Sequence, residues 1–435
     1  MSARIAVSLL GQRRFVPLLG ATTLGAFNDN MFKMALVVGA SAGLLTFGDM
    51  PAGALAPMAA NAFTAAIFLF SAVAGQVADR YDRAEILKKT KLAEIGLMTL
   101  AAFGFYTMNS LVLLATLFLM GVQSAFYSPA RVASLPHYLG AKELVPGNAL
   151  IGGSLFMAIL VGGALGTLLI PTGNGRFIIG GVLVGGAILG WLVILATPPS
   201  PSAKNPKPVN WNFVTETWRM IALVLKTPGM ARPLLAAAWF WAIAAAVVTL
   251  LHTVVQDVLG QDQMLTAAMQ VLFTVGAAVG SISCGLFARG EDASAFSVAG
   301  AIGVVVFAGD LAWQLLHWQT GPAVGVAAFV QDPAHWRILV DFFLAAMFAG
   351  LYVVPQQALA QRRAPEDIRA RLLAGGNLLN AAAATGAQLL LMLNAWAGGS
   401  PALVFALVGT GSAVVAAIIL RRLMQQSRSA TAGQP

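Results

Sequence analysis

Residues 75–89 read GQVADRYDRAEILKK, and seven of these side chains ionise. The stretch is wedged between two apolar runs, 57–78 and 92–108. Outward from it the same alternation continues, with charged connectors separating apolar runs of roughly 18–25 residues, the length of helix that spans a bilayer. Of the 435 residues 58% are hydrophobic and 10% charged, and the mean hydropathy is +0.79. A soluble protein carries about 25% charged residues. Strands would satisfy their backbone in lipid only in a closed barrel, and barrel strands alternate apolar with polar over about ten residues. These runs are continuous, so the sequence predicts an all-α membrane protein.

Twelve transmembrane helices are expected, at 15–45, 57–78, 92–108, 111–136, 145–170, 177–196, 233–256, 264–287, 295–316, 336–360, 372–396 and 401–420. Between the sixth and seventh, residues 197–210 (TPPSPSAKNPKPVN) are too rich in proline to span. Residues 211–226 (WNFVTETWRMIALVLK) have the pattern of a helix lying along the interface. The expected domains are an N-terminal six-helix bundle (1–196), a central cytoplasmic linker with an amphipathic helix (197–232) and a C-terminal six-helix bundle (233–435).

Lysine and arginine set the orientation. With the N-terminus cytoplasmic, 23 of the 26 fall on cytoplasmic segments, Arg176 and Arg337 fall outside, and Lys33 lies within a span. Both termini are therefore expected in the cytoplasm of a multi-pass inner-membrane protein. This distribution accounts for the net charge of +9 without a nucleic-acid partner. The first span is too long and too polar at its middle for a secretory signal, so it reads as an uncleaved helix. A lone cysteine, Cys284, excludes an internal disulfide or a cysteine-based metal cluster, and His137, His252, His317 and His335 lack ligand spacing. No phosphate-binding Gly-Lys-Ser/Thr loop, nucleophile elbow or metal-ligand set is present, so neither an enzyme nor a cofactor is expected.

The two halves echo one another in order. FSAVAGQVADRYD (70–82) matches GSISCGLFARGED (280–292), with Gly75 facing Gly285. AFYSPARVASLP (125–136) matches GLYVVPQQALAQ (350–361), and GNALIGGSLFMAILVGG (147–163) matches GNLLNAAAATGAQLLLM (376–392), aligning Asn148 with Asn377. Parallel six-helix repeats meeting at a polar seam are an alternating-access plan.

GQVADRYDRAEILKK resembles the loop motif G-x-L-A-D-R-x-G-R-[RK] of the major facilitator superfamily. Gly75, Ala78, Asp79, Arg80 and Arg83 stand at its places, while Asp82 replaces a glycine and Ala84 a basic residue. More narrowly, LGAFNDNMFK, KLAEIG, FYSPARVASLP, VPGNALIGG, VPQQALAQ and GGNLLN resemble the lysophospholipid transporter (LplT) family. The resemblance spans essentially the whole chain and departs in span four, where Arg131 stands at the family's lysine. It implies two pseudo-symmetric six-helix bundles forming a flippase for lysophospholipid, foremost lysophosphatidylethanolamine, moved inward across the bacterial inner membrane. It further implies a monomer among membrane lipids, with an acyltransferase or acyl-ligase acting downstream. A proton-coupled exporter of amphipathic drugs, siderophores or other small metabolites is the alternative.

The candidate site residues follow from polar groups inside apolar runs, where an ionised side chain costs at least about 2.5–3.5 kcal/mol. Asp29 and Lys33, one turn apart, are expected to pair on a cavity-lining face, with Asn28 and Asn30 beside them. Arg131 offers bidentate geometry for a phosphate. Asn148, Gln356, Gln357, Asn377 and Asn380 complete the expected substrate-binding set. Gly75, Asp79, Arg80, Arg83 and Glu94 are expected to form a charge latch between helix ends. Asp310 and Asp341 are intramembrane acids that a coupling proton would use, with no partner evident from the sequence.

Overall fold

Apolar runs in lipid fold as helices because only there does every backbone group find a partner within its own segment. The computed structural model describes residues 2–41, 44–45, 52–170, 172–202, 208–261, 263–287, 294–319, 322–396 and 400–432. Among them all regular structure is helical. A short α1 (Ser2–Leu9) precedes α2 (Val16–Ser41), α3 (Ala52–Arg80), α4 (Arg83–Thr107), α5 (Ser110–Tyr138), α6 (Leu144–Leu169) and α7 (Gly175–Leu195). Then come α8 (Phe213–Lys226), α9 (Ala231–Thr253), α10 (Gln263–Phe287) and α11 (Ser294–His317). A small α12 (Val326–Gln331) leads to α13 (Trp336–Arg363), α14 (Arg369–Trp396) and α15 (Pro401–Ala432).

The long helices correspond one to one with the twelve expected spans. Among the described residues, nine are apolar enough to cross a membrane by length and composition alone. The other three, α2, α4 and α14, bring many of the polar groups discussed below. Two short helices, α1 and α12, were not expected, since neither reaches the length that a span-sized pattern detects. Helix α4 also starts well before the expected residue 92, because Asp82 caps it: its Oδ1 accepts from Ala84 N at 2.8 Å and Glu85 N at 3.2 Å. The departure from the loop motif at Asp82 thus has a local structural reason.

The internal repeat reappears as matched contacts. On α3, Gly75 meets α14, where a methyl group in its place would stand 2.8 Å from the Ala374 Cβ; its counterpart Gly285, on α10, meets Ala149 and Pro146 of α6. The Tyr127 hydroxyl bonds Thr22 of α2 at 2.9 Å, and the equivalent Tyr352 hydroxyl donates to the Ala236 carbonyl of α9 at 2.8 Å. The tyrosine bonds lie within each half, whereas the Gly75 and Gly285 contacts join the halves near one end of the molecule, the end whose connectors carry most of the arginine and lysine. We call it the basic end. Of the basic residues that set the orientation, Lys204, Lys207 and Arg289 lie outside the described residues, as does 288–292 of the second loop copy.

Candidate substrate face and gate

Three helices of the first half build a polar face. Lys91 and Glu94, one turn apart on α4, form an ion pair of 2.6 Å with side chains 1% and 4% exposed. Gln123 of α5 donates to the same Glu94 oxygen at 3.2 Å and to the Thr90 carbonyl at 3.3 Å. The Lys91 ammonium also lies 5.2 Å from the centre of the Tyr127 ring. Opposite it, Gly25 of α2 leaves the space the ammonium fills, since a β-carbon there would collide with Lys91 Nζ. Two buried charges persist only if paired and further hydrogen-bonded. Here one carboxylate oxygen, Glu94 Oε1, has no hydrogen-bond partner among the described residues.

Asp29 faces this pair from α2, in the field of Lys33, Glu94 and Lys91 and beside Ser124. The expected Asp29–Lys33 ion pair is not formed. Lys33 Nζ instead lies 3.5 Å from the centroid of Phe63, a cation–π contact that draws it toward α3. Arg131, half-buried on α5 below Tyr127, has no ion pair among the described residues. The face therefore presents two carboxylates, a paired lysine and two flanking cations.

Several expected ligands are engaged elsewhere. Asn28 is fully buried against α7, donating to the Leu183 carbonyl at 3.1 Å, and Asn30 donates to Ala26 of its own helix at 2.7 Å. Gln356 donates to Ser297 of α11 at 3.0 Å, inside the second half. Asn148 and Gln361 exchange amide hydrogen bonds of 2.6 and 3.0 Å between α6 and α13, and Asn377 donates to Ser128 of α5 at 2.9 Å. Asn148 and Asn377 thus clasp the halves together. Gln357 is half-buried, and the Asn380 Oδ1 is buried without a partner among the described residues.

The candidate gate is at the basic end. Asp79, at the close of α3, accepts from Ala370 N at 2.8 Å, from Arg371 N at 3.2 Å and from Arg371 Nε at 2.9 Å. A carboxylate on the first turn of α14 meets unpaired N–H groups and the positive end of that helix. The latch was expected with Arg80, Arg83 and Glu94; Arg83 lies beside it, in the field of Asp79 and Glu366, while Arg80 and Glu94 are engaged elsewhere. Arg80 rests near the Tyr81 ring. Arg83 holds the connector after α7, its Nη1 donating to the Pro201 carbonyl at 3.0 Å and its backbone N to Ser200 at 2.9 Å. Glu94 belongs to the polar face, as does Lys91, which the orientation count had put in a connector.

Near the opposite end, Arg337 reaches Asp310 through Nε at 3.0 Å, and Gln314 bridges Asp310 and Asp341 at 3.2 and 2.5 Å. The two acids therefore have the partners that the sequence withheld. Sequence reasoning missed Lys91, Gln123, Ser124 and Tyr127. The signal for the first was present in KLAEIG, where lysine and glutamate stand three apart inside a helix-forming run.

A family model described as Major Facilitator Superfamily matches residues 18–387. Lysophospholipid transporter LplT of Serratia proteamaculans (strain 568) is 24% identical over 369 residues, 83% of either chain. Lysophospholipid transporter LplT of Escherichia coli O1:K1 / APEC is 27% identical over 356 residues, 80% of either chain. A bacterial homologue of the iron transporter ferroportin, in its outward-facing state, superposes with a TM-score of 0.67 at 15% identity, over 95% of this chain and 100% of that one. The E. coli fucose:proton symporter FucP gives 0.69 at 12% identity, over 93% and 98%. At these identities the likeness to solved structures is one of fold.

Proposed function

The chain belongs to the Major Facilitator Superfamily, and from that premise we propose that it is a secondary carrier of lysophospholipid working by alternating access. The observation that carries the reading is the polar face of the first half. A lysolipid headgroup brings a phosphate and, in lysophosphatidylethanolamine, an ammonium. Arg131 and Lys33 flank the face with the cations a phosphate takes, and Asp29 with Glu94 Oε1 supplies acceptors for an ammonium. The acyl chain lies along an apolar seam between the halves. Lysophospholipid transport is also what the relatives' names describe.

The proposed direction is inward, and the contacts at the basic end together with the charge distribution support it. With the basic end cytoplasmic, the bonds of Asp79, Asn148 and Asn377 close the inner side, so the headgroup enters from outside and leaves inward when they part. Uptake of labelled lysophosphatidylethanolamine into spheroplasts, with and without an uncoupler, tests the reading. Uptake above a carrier-free control that survives the uncoupler is expected. Uptake abolished by the uncoupler would make the lysolipid carrier proton-coupled, and no uptake removes the lysolipid assignment and leaves the exporter reading.

A further inference from the structure

The two halves meet along two lateral seams, α3 against α14 and α6 against α10. Each seam is covered near the basic end by a short amphipathic helix: α8 packs on α3 and α14, and α1 packs on α6 and α10. The two covers are equivalent under the internal repeat, because α1 leads into the first six long helices and α8 into the second six. We propose that α1 and α8 are a matched pair of seals set in the lipid headgroup region at the basic end, each closing one seam while its outer face lies in the bilayer.

At 3.6 residues per turn, α8 divides into three faces. Thr217, Met220 and Val224 are buried, Met220 against Ala72, Gly75 and Ala374, and Val224 against Gly375. A polar face carries Glu216, Arg219 and Lys226, with Glu216 held by Gln76 of α3 at 3.1 Å and by Asn210 at 2.7 Å. The third face is apolar and uncovered: Trp218 is 70% exposed, and Val214 and Leu225 are exposed beside it, with Trp211 extending the row.

Depth decides what that face meets. Gly75 and Ala374 stand five residues inside Arg80 and Arg369, the ends of their helices, or about 7.5 Å along the axis at 1.5 Å per residue. Helix α8 therefore lies beside α3 and α14 rather than beneath them, at the level of the membrane interface. Tryptophan on the apolar edge with basic residues on the polar edge is the composition of an interfacial helix. Helix α1 repeats the scheme, with Ala6 and Leu9 buried, Val7 exposed and Arg4 on the polar side. Exposed Arg4, Arg13, Lys226 and Arg232 give both seals a positive rim, which complements anionic phospholipid headgroups. Because α8 touches both α3 and α14, parting these helices requires it to release one of them.

Spin labelling tests the proposal without reference to any substrate. In a Cys284→Ser background, nitroxides are placed at Trp218→Cys, Leu225→Cys and Val7→Cys, all exposed positions whose replacement spares the core. The purified chain is reconstituted into phosphatidylethanolamine with one quarter phosphatidylglycerol. Collision with oxygen should exceed collision with a water-soluble nickel chelate at all three sites, and replacing phosphatidylglycerol with phosphatidylcholine should narrow the difference. Higher nickel accessibility at Trp218→Cys and Leu225→Cys would place the α8 face in water, free for a protein partner, and would overturn the proposal. Equal values in both lipid mixtures would overturn the choice of anionic headgroups as its occupant.

Discussion

The Asp79 carboxylate of α3 is bound by Arg371 of α14 through both its backbone N–H, at 3.2 Å, and its Nε, at 2.9 Å. A single side chain thereby answers both the orphan donors of a helix start and a guanidinium in the other half of the molecule. Hydrogen bonds to a charged group each contribute about 1.5–3 kcal/mol, so this contact is strong enough to weight the closed state of the basic end.

Asp79→Asn keeps the shape and removes the charge. It should lower transport severalfold while membrane abundance stays near wild type, since the contact lies at helix ends rather than in a bundle core. Initial uptake rates normalised to immunoblotted protein measure this. Wild-type rates would mean the contact takes no part in the cycle.

The Lys91–Glu94 pair calls for a different test. Glu94→Gln leaves a buried ammonium without its counter-charge, and breaking such a pair commonly costs about 3–5 kcal/mol. Abundance or thermal stability should fall. The double variant Lys91→Met/Glu94→Met should recover abundance but leave lysolipid transport down at least about tenfold, equivalent to roughly 1.4 kcal/mol. Recovery of transport along with abundance would reduce the pair to a packing device.

Much of this molecule was legible in its sequence, and the parts that were not share a cause. Span length and apolar continuity are local properties, so the twelve helices and their repeat could be read directly. The aligned Asn148 and Asn377 indicated a shared role, but not that the role was holding the halves together. Which way a helix turns its polar side depends on neighbours distant in sequence. Lys33 leans on Phe63 instead of Asp29, Asn28 turns to Leu183, and Lys91 folds inward from what looks like a connector. Asp82, which departs from the loop motif, caps α4.

The amide clasp should be measurable as well. Asn148→Ala strands the Gln361 side chain, 1% exposed, without its reciprocal partner. An unsatisfied buried group costs about 1–3 kcal/mol, which here weakens the closed basic end. Alkylation of Ser281→Cys, placed on the α6/α10 seam in a Cys284→Ser background, should speed up when Asn148→Ala is added. Unchanged alkylation would show that Asn148 does not hold that seam.

Arg131 separates charge from geometry. Arg131→Ala should weaken transport of every phosphate-bearing lysolipid, and Arg131→Lys should restore much of it, because an ammonium still meets a phosphate as a point charge. Transport by Arg131→Ala equal to wild type would leave the residue a topology anchor.

The central claim is that the polar face of the first half binds a phosphate-bearing headgroup, and a headgroup series tests it most directly. Purified protein in proteoliposomes is offered lysophosphatidylethanolamine and a monoacylglycerol of the same acyl chain. The first should be moved across the bilayer well above the rate of protein-free vesicles, and the monoacylglycerol, lacking both phosphate and amine, should not. Equal carrier-dependent movement of the two, or of neither, would contradict the account.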